Sequence, residues 1–150
     1  YPDLDKEYVD GEIVERSLPT NAHSEVQWRL CYVFGRLAER LPFHGRPELR
    51  SRVRETRVRI PDVAVYVGEK PTGQVPTAPP FIAIEILSPD ERMKTLLQKF
   101  EEYRVWGVKH VWLVDPEEHK LWTYTGGLVE VSTFELPEFN VTITPAEIFG

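Results

Sequence analysis

The segment Phe81–Leu87 restricts the fold of this chain more than any other stretch. Its sequence, FIAIEIL, contains six apolar residues and one carboxylate, Glu85, and prolines lie on both sides of it. A short apolar run bounded by proline is typical of a buried strand. A carboxylate inside such a strand costs several kcal/mol unless something holds it. The sequence therefore predicts a buried strand in which a cation, a set of hydrogen bonds or a metal ion holds Glu85.

The order of periodic segments predicts an α/β fold. Alternating runs on both sides of Asp10-Gly11 predict a hairpin. Two amphipathic stretches, 18–41 and 88–108, predict helices, the first ended by Pro42 and the second by Gly107. The remaining apolar or alternating segments predict strands: 48–55, 56–67, 81–87, 109–115, 120–125, 128–136 and 139–143. We expect a mixed central sheet flanked by helices, with additional C-terminal strands, in one domain over 1–150.

The charge of the chain is unevenly distributed. The net charge of −6 argues against a nucleic-acid partner, but the segment 46–59 contains six arginines and only two glutamates. This segment is either a solvated strand face that protects a sheet edge or a ribbon that contacts phosphates. The candidates for nucleic-acid binding are Arg50, Arg52, Arg54, Arg57 and Arg59.

Cysteine content and hydropathy bear on the compartment. The only cysteine, Cys31, cannot form an internal disulfide, which is typical of a reducing, cytoplasmic setting. The sequence contains neither an apolar run of about 20 residues nor a signal peptide, so we expect no membrane partner. Because the chain starts with Tyr1 and not with methionine, we also expect that residues of the natural protein precede it.

A second carboxylate, Asp62, follows Pro61 at an expected bend in the strand segment before Glu85. Consecutive strands are usually neighbours, so Asp62 and Glu85 can converge at one end of the sheet. Two adjacent carboxylates are a typical ligand set for Mg²⁺. The alternative is that Glu85 pairs with one of the arginines.

Several motifs in a fixed order resemble a known family. They are Pro61-Asp62, the segment 85–89 (EILSP), Lys99 with Tyr103 four residues later, Gly107-Val108 and Asp115-Pro116. Together they are similar to the Uma-type family of restriction-endonuclease-like proteins, within the PD-(D/E)XK nuclease superfamily. The resemblance extends over residues 10–116, and it implies a restriction-endonuclease-like fold.

The resemblance implies catalytic roles for a few residues. Asp62 and Glu85 match the metal-binding carboxylates, but the position of the usual superfamily lysine is Leu87 here. Lys99 is the candidate replacement, because helical spacing places it at the edge of the apolar stripe, one turn before Tyr103. The alternative for Lys99 is a surface lysine. Thr95 stands where the family tends to have an aspartate.

His23 is a further candidate catalytic residue. Helical spacing places it on the apolar stripe of the first helix, at its N-terminal end. The resembling family also has a histidine there. His23 could orient a water or a carboxylate, or it could be a hydrogen-bonded structural histidine.

The resemblance implies a metal-dependent endonuclease that uses Mg²⁺ or Mn²⁺, acts on DNA and forms a homodimer. The first alternative is a catalytically inactive module that keeps the nuclease fold and binds nucleic acid or protein. The second is a metal-free hydrolase with paired carboxylates, which is disfavoured because the sequence has no second domain to form a pocket and no sugar-stacking site.

Overall fold

The computed structural model describes residues 6–150. In this range the chain forms twelve strands, three α-helices and one 3-10 turn. The elements up to the middle of the chain are β1 (Lys6–Val9), β2 (Glu12–Glu15), α1 (Asn21–Leu37), β3 (Phe43–Pro47), β4 (Ser51–Arg54), β5 (Arg57–Arg59), β6 (Val63–Val67) and β7 (Ile82–Ile86). Those that follow are α2 (Met93–Trp106), β8 (His110–Asp115), β9 (Lys120–Tyr124), β10 (Leu128–Val131), β11 (Phe134–Leu136), the 3-10 turn Pro137–Phe139, β12 (Val141–Ile143) and α3 (Pro145–Phe149).

The central sheet has six strands in the order β10-β9-β8-β7-β6-β3. The pair β7–β8 is parallel, and α2 forms the crossover between these two strands, as a parallel pair requires. The other neighbours in this sheet are antiparallel. The predicted α/β fold with a mixed central sheet and additional C-terminal strands is therefore confirmed.

Strand β7 separates two parts of the core. Its isoleucines pack in the cluster that includes the apolar face of α1, whereas Ala83 packs in the cluster that includes α2. Strand alternation places Glu85 on the same side as Ala83. All five residues of β7 are buried, as the apolar run predicted.

The arginine-rich segment 46–59 does not form one ribbon. Its first arginine, Arg46, lies in β3, an edge strand of the central sheet, which the sequence did not predict because FHGRP lacks alternation and carries glycine and proline. The later arginines lie on β4 and β5, or just before them, in a separate antiparallel sheet ordered β2-β1-β5-β4. The bend predicted at Pro61 is the break between β5 and β6.

Both long helices are shorter than predicted. Helix α1 ends at Leu37, and turns follow it up to Pro42. Helix α2 begins at Met93, without a side-chain cap, and Met93 is 46% exposed. None of the helices in the described range is both long and apolar enough to span a bilayer.

Candidate active site

Asp62 and Glu85 lie together at the same end of strands β6 and β7. These strands are antiparallel and pair Val63 with Ile84, so the residues beside that pair are adjacent. The backbone N–H of Asp62 donates to Oε2 of Glu85 at 3.3 Å, and the N–H of Ile86 donates to Oδ2 of Asp62 at 2.7 Å. The strand ends thus hold both carboxylates in place, in the arrangement that the sequence predicted.

Two residues of α2 hold Glu85. Lys99 Nζ lies 3.3 Å from Oε1, and the Tyr103 hydroxyl donates to Oε2 at 3.3 Å. Lys99 and Tyr103 are four residues apart on the helix, so they present neighbouring side chains to the strand. Burial raises the pKa of Glu85 to about 8, which the Lys99 ammonium opposes and Asp62 reinforces. The carboxylate in the apolar strand is held by one cation and by hydrogen bonds.

Lys99 is buried, with 8% of its surface exposed. Its ammonium lies 3.3 Å from Glu85 and 3.2 Å from Oε1 of Glu7 on β1. Burial alone would lower the pKa of Lys99, but these carboxylates raise it above its ordinary value, which keeps the side chain charged. The alternative of a solvent-exposed surface lysine is therefore wrong for this position.

Asp62 contacts two side chains from the N-terminal part of the chain. Arg16, just after β2, donates to Oδ1 at 2.9 Å, and His23 Nε2 on α1 lies 3.4 Å from Oδ2. His23 is buried, and within residues 6–150 its Nδ1 atom has no hydrogen-bond partner. Gln27, one turn further along α1, donates to the backbone carbonyl of Asp62 at 3.0 Å.

The arginines of the basic segment divide into an inner and an outer group. Arg59 is 3% exposed and pairs with Glu7 and Glu102, and Arg57 pairs with Glu102 and Asp10. Carboxylates of the protein therefore hold Arg57 and Arg59, and phosphate binding by the five candidate arginines stays a prediction. Of the remaining three, Arg54 is exposed and pairs with Asp10 at 3.6 Å, while Arg50 and Arg52 are half-buried.

Glu7 and Arg16 are site residues that the sequence did not reveal. Glu7 is 3% exposed, and its Oε2 accepts the N–H of Ile60 at 2.8 Å. Its position depends on the pairing of β1 with β5, about fifty residues away in the chain. No local pattern distinguishes Glu7 from Glu12, which lies in the same hairpin and is exposed.

A cavity of about 300 Å³ opens onto the two carboxylates. Seven acidic and four basic side chains line it, so acidic residues outnumber basic ones by three. Within residues 6–150 no group of three or more His, Cys, Asp and Glu side chains is arranged to hold a metal ion. Two carboxylates in an acidic cavity nevertheless fit Mg²⁺, because this ion keeps several water ligands and uses only one or two protein carboxylates.

The mixed sheet with its βαβ unit, and the acidic pair at the edge of that unit, define a restriction-endonuclease-like fold. The sequence model of the Uma2 family, described as "Putative restriction endonuclease", matches residues 1–149. The chain therefore belongs to this family, and the resemblance noted in the sequence is confirmed.

A solved structure is similar over nearly the whole chain. It is the crystal structure of "a putative nuclease belonging to DUF820" from Anabaena variabilis ATCC 29413. The two chains are 21% identical with a TM-score of 0.81, and the match covers 96% of this chain and 89% of that one. Among curated proteins, none matches this chain.

Proposed function

We propose that this protein is a metal-dependent endonuclease that hydrolyses phosphodiester bonds of DNA. The observation that carries the proposal is the buried Asp62–Glu85 pair, with the Lys99 ammonium 3.3 Å from Glu85, in an acidic cavity. The family and the structural neighbour are both described as nucleases, which supports a nucleic-acid substrate.

Asp62 and Glu85 would hold Mg²⁺ or Mn²⁺. Such an ion, when bound, lowers the pKa of a coordinated water and offsets charge on the phosphate. The protein contributes the fixed position of the two carboxylates, because backbone N–H groups and strand pairing hold both of them. Carboxylates fixed before the reaction need little reorganisation during it.

The charged side chains around the pair would stabilise the reacting phosphate. Lys99 and Arg16 carry positive charge within the cavity, and the buried Nδ1 atom of His23 has no hydrogen-bond partner within residues 6–150. We assign Lys99 to charge stabilisation. We assign His23 to orienting Asp62 or a water, since its Nε2 lies 3.4 Å from the carboxylate.

Strand β4, at the edge of the four-stranded sheet, would bind the DNA backbone. The candidates for phosphate contacts there are Arg50, Arg52 and Arg54. The slope of the logarithm of the DNA-binding constant against the logarithm of the salt concentration would measure how many phosphate contacts form. The homodimer implied by the resemblance stays a prediction, which light scattering coupled to size exclusion checks.

A catalytically inactive binding module is the second candidate. It is favoured by the fact that protein groups already satisfy both carboxylates, since Arg16 binds Asp62 while Lys99 and Tyr103 bind Glu85. A module of this kind would need no metal.

A plasmid-nicking assay with Mg²⁺, with Mn²⁺ and with EDTA separates the candidates. The endonuclease nicks only with a metal, and Asp62→Asn or Glu85→Gln abolishes nicking while circular dichroism shows an intact fold. A protein that shifts DNA in a gel without cutting it under any metal condition is the binding module. Cleavage that persists in EDTA would contradict the metal-dependent mechanism.

A further inference from the structure

Lys99 connects the candidate metal-binding pair to a carboxylate outside that pair. Its Nζ is nearly equidistant from Glu85, at 3.3 Å, and from Glu7, at 3.2 Å. Glu7 is itself fixed, because it accepts the N–H of Ile60 at 2.8 Å and pairs with Arg59 at 3.2 Å. The ammonium therefore bridges two anchored carboxylates.

Arg16 repeats this arrangement at Asp62. One guanidinium nitrogen donates to Asp62 at 2.9 Å, and the other donates to Glu48 at 3.0 Å. Gln27 fixes the far oxygen of Glu48 at 3.3 Å. We refer to Arg16 and Lys99 as the bridging cations and to Glu7 and Glu48 as the outer carboxylates.

The bridges bear directly on metal binding. A divalent cation bound to Asp62 and Glu85 neutralises their negative charge. These carboxylates then no longer attract the bridging cations. A buried cation that loses its only partner is costly, and it also repels the incoming metal. The outer carboxylates remove this conflict, because each bridging cation keeps one partner when the metal binds.

We infer that the outer carboxylates are positioning residues that retain the bridging cations in the cavity while a divalent cation occupies the Asp62–Glu85 pair. The inference rests on the proposed metal-dependent function and extends it. With a metal bound, the bridging cations would turn from Asp62 and Glu85 towards the anionic substrate, while the outer carboxylates would keep them tethered. Without the outer carboxylates, metal and cation compete for the same carboxylate.

The test compares Glu7→Gln with a charge-matched control, Glu91→Gln. Glu91 lines the same cavity, but its Oε1 accepts the N–H of Ser88 at 3.2 Å, and it acts on Lys99 only at longer range than an ion pair. Calorimetric titration with Mg²⁺ and Mn²⁺ measures affinity, and the ¹⁵N signal of the Lys99 ammonium reports whether that group stays protected from water. Both measurements work without any substrate.

We expect Glu7→Gln to weaken metal affinity about tenfold or more beyond the loss in Glu91→Gln, as loss of a group that supports a metal site does. The Lys99 ammonium signal should survive addition of diamagnetic Mg²⁺ in the wild type and in Glu91→Gln, and it should disappear in Glu7→Gln. Glu7→Asp, which keeps a carboxylate, should restore the signal in part.

Three outcomes decide the matter. Equal metal affinities and equal Lys99 signals in Glu7→Gln and Glu91→Gln would overturn the inference and leave the proposed function standing. A wild-type protein that binds neither ion would overturn both. If Glu7→Gln does not fold, Glu48→Gln makes the same comparison at Arg16. Glu48 is half exposed, so its substitution leaves the core intact. A loss of metal affinity in Glu48→Gln no larger than in Glu91→Gln would then overturn the inference.

Discussion

Lys99 supplies the positive charge beside Glu85 that the strand of Glu85 does not itself provide. The position two residues after Glu85 is Leu87, so the cation comes from the following helix and reaches Glu85 at 3.3 Å. Helical spacing placed Lys99 at the edge of the apolar stripe, and a long aliphatic stem lets the ammonium extend from there to the sheet end. The sequence thus predicted this contact, because both residues belong to consecutive elements.

Removal of the Lys99 ammonium tests its part in the reaction. We expect Lys99→Ala to lower single-turnover cleavage by about two orders of magnitude, as loss of one charge-stabilising group does. DNA affinity should change little, because the ammonium is buried and is not among the proposed phosphate contacts on β4. The matched control is Lys94→Ala, an exposed lysine on the same helix, which should cut at the wild-type rate. Equal rates for the two variants would remove Lys99 from the mechanism.

The pKa of Glu85 makes stability depend on pH in the metal-free protein. Burial raises the pKa of Glu85 in the folded state to about 8 from the ordinary 4.5, so its ion pair with Lys99 is complete only towards higher pH. Between these values the folded state binds more protons than the unfolded state, so the free energy of unfolding falls as the pH rises. Urea denaturation in EDTA at pH 5, 6.5 and 8 measures this fall.

Glu85→Gln provides the reference for that experiment, because glutamine has no proton to lose. We expect the variant to be less sensitive to pH than the wild type over the same range. Parallel curves for the two proteins would show that another group causes the effect.

Elements close in sequence were predicted better than contacts between distant ones. Strand β7 with helix α2, and Asp62 beside Glu85, follow from apolar runs, proline positions and the pairing of consecutive strands. The burial of Glu7 and the inward direction of Arg59 depend on β1 lying beside β5, and no pattern in strands of four and three residues specifies that pairing. Local patterns therefore predicted the carboxylates and the lysine but not the ion pairs that surround them.

Substitution of two helix glycines by alanine should change stability in opposite directions. Gly107 ends α2 with φ of +117°, and a Cβ there would lie 3.4 Å from Pro79. Gly107→Ala should therefore destabilise the protein by about 1–2 kcal/mol. Gly35 lies inside α1 with open space around it, so Gly35→Ala should stabilise by about 0.5–1 kcal/mol. Thermal denaturation of both variants checks the signs, and a stabilised Gly107→Ala would contradict the first.

The two core clusters pack against opposite faces of the same central sheet. The prediction of a single domain depends on this shared sheet. Strands β7 and β8 contribute residues to both clusters, so neither can lose its packing without exposing the other. We expect one cooperative unfolding transition for the whole chain. Far-ultraviolet circular dichroism and tryptophan fluorescence should give the same midpoint in urea. Separate midpoints would show two independently stable units.

The order of charges along the chain has a consequence for folding during synthesis. Glu7, Asp62 and Glu85 leave the ribosome before Lys99, and Arg16 is the only one of the two bridging cations made by then. Until α2 is complete, burying β7 would leave Glu85 without a cation, which is costly. Closure of the sheet around Glu85 therefore waits for the helix that neutralises it, and a nascent chain that stops before α2 should stay sensitive to protease.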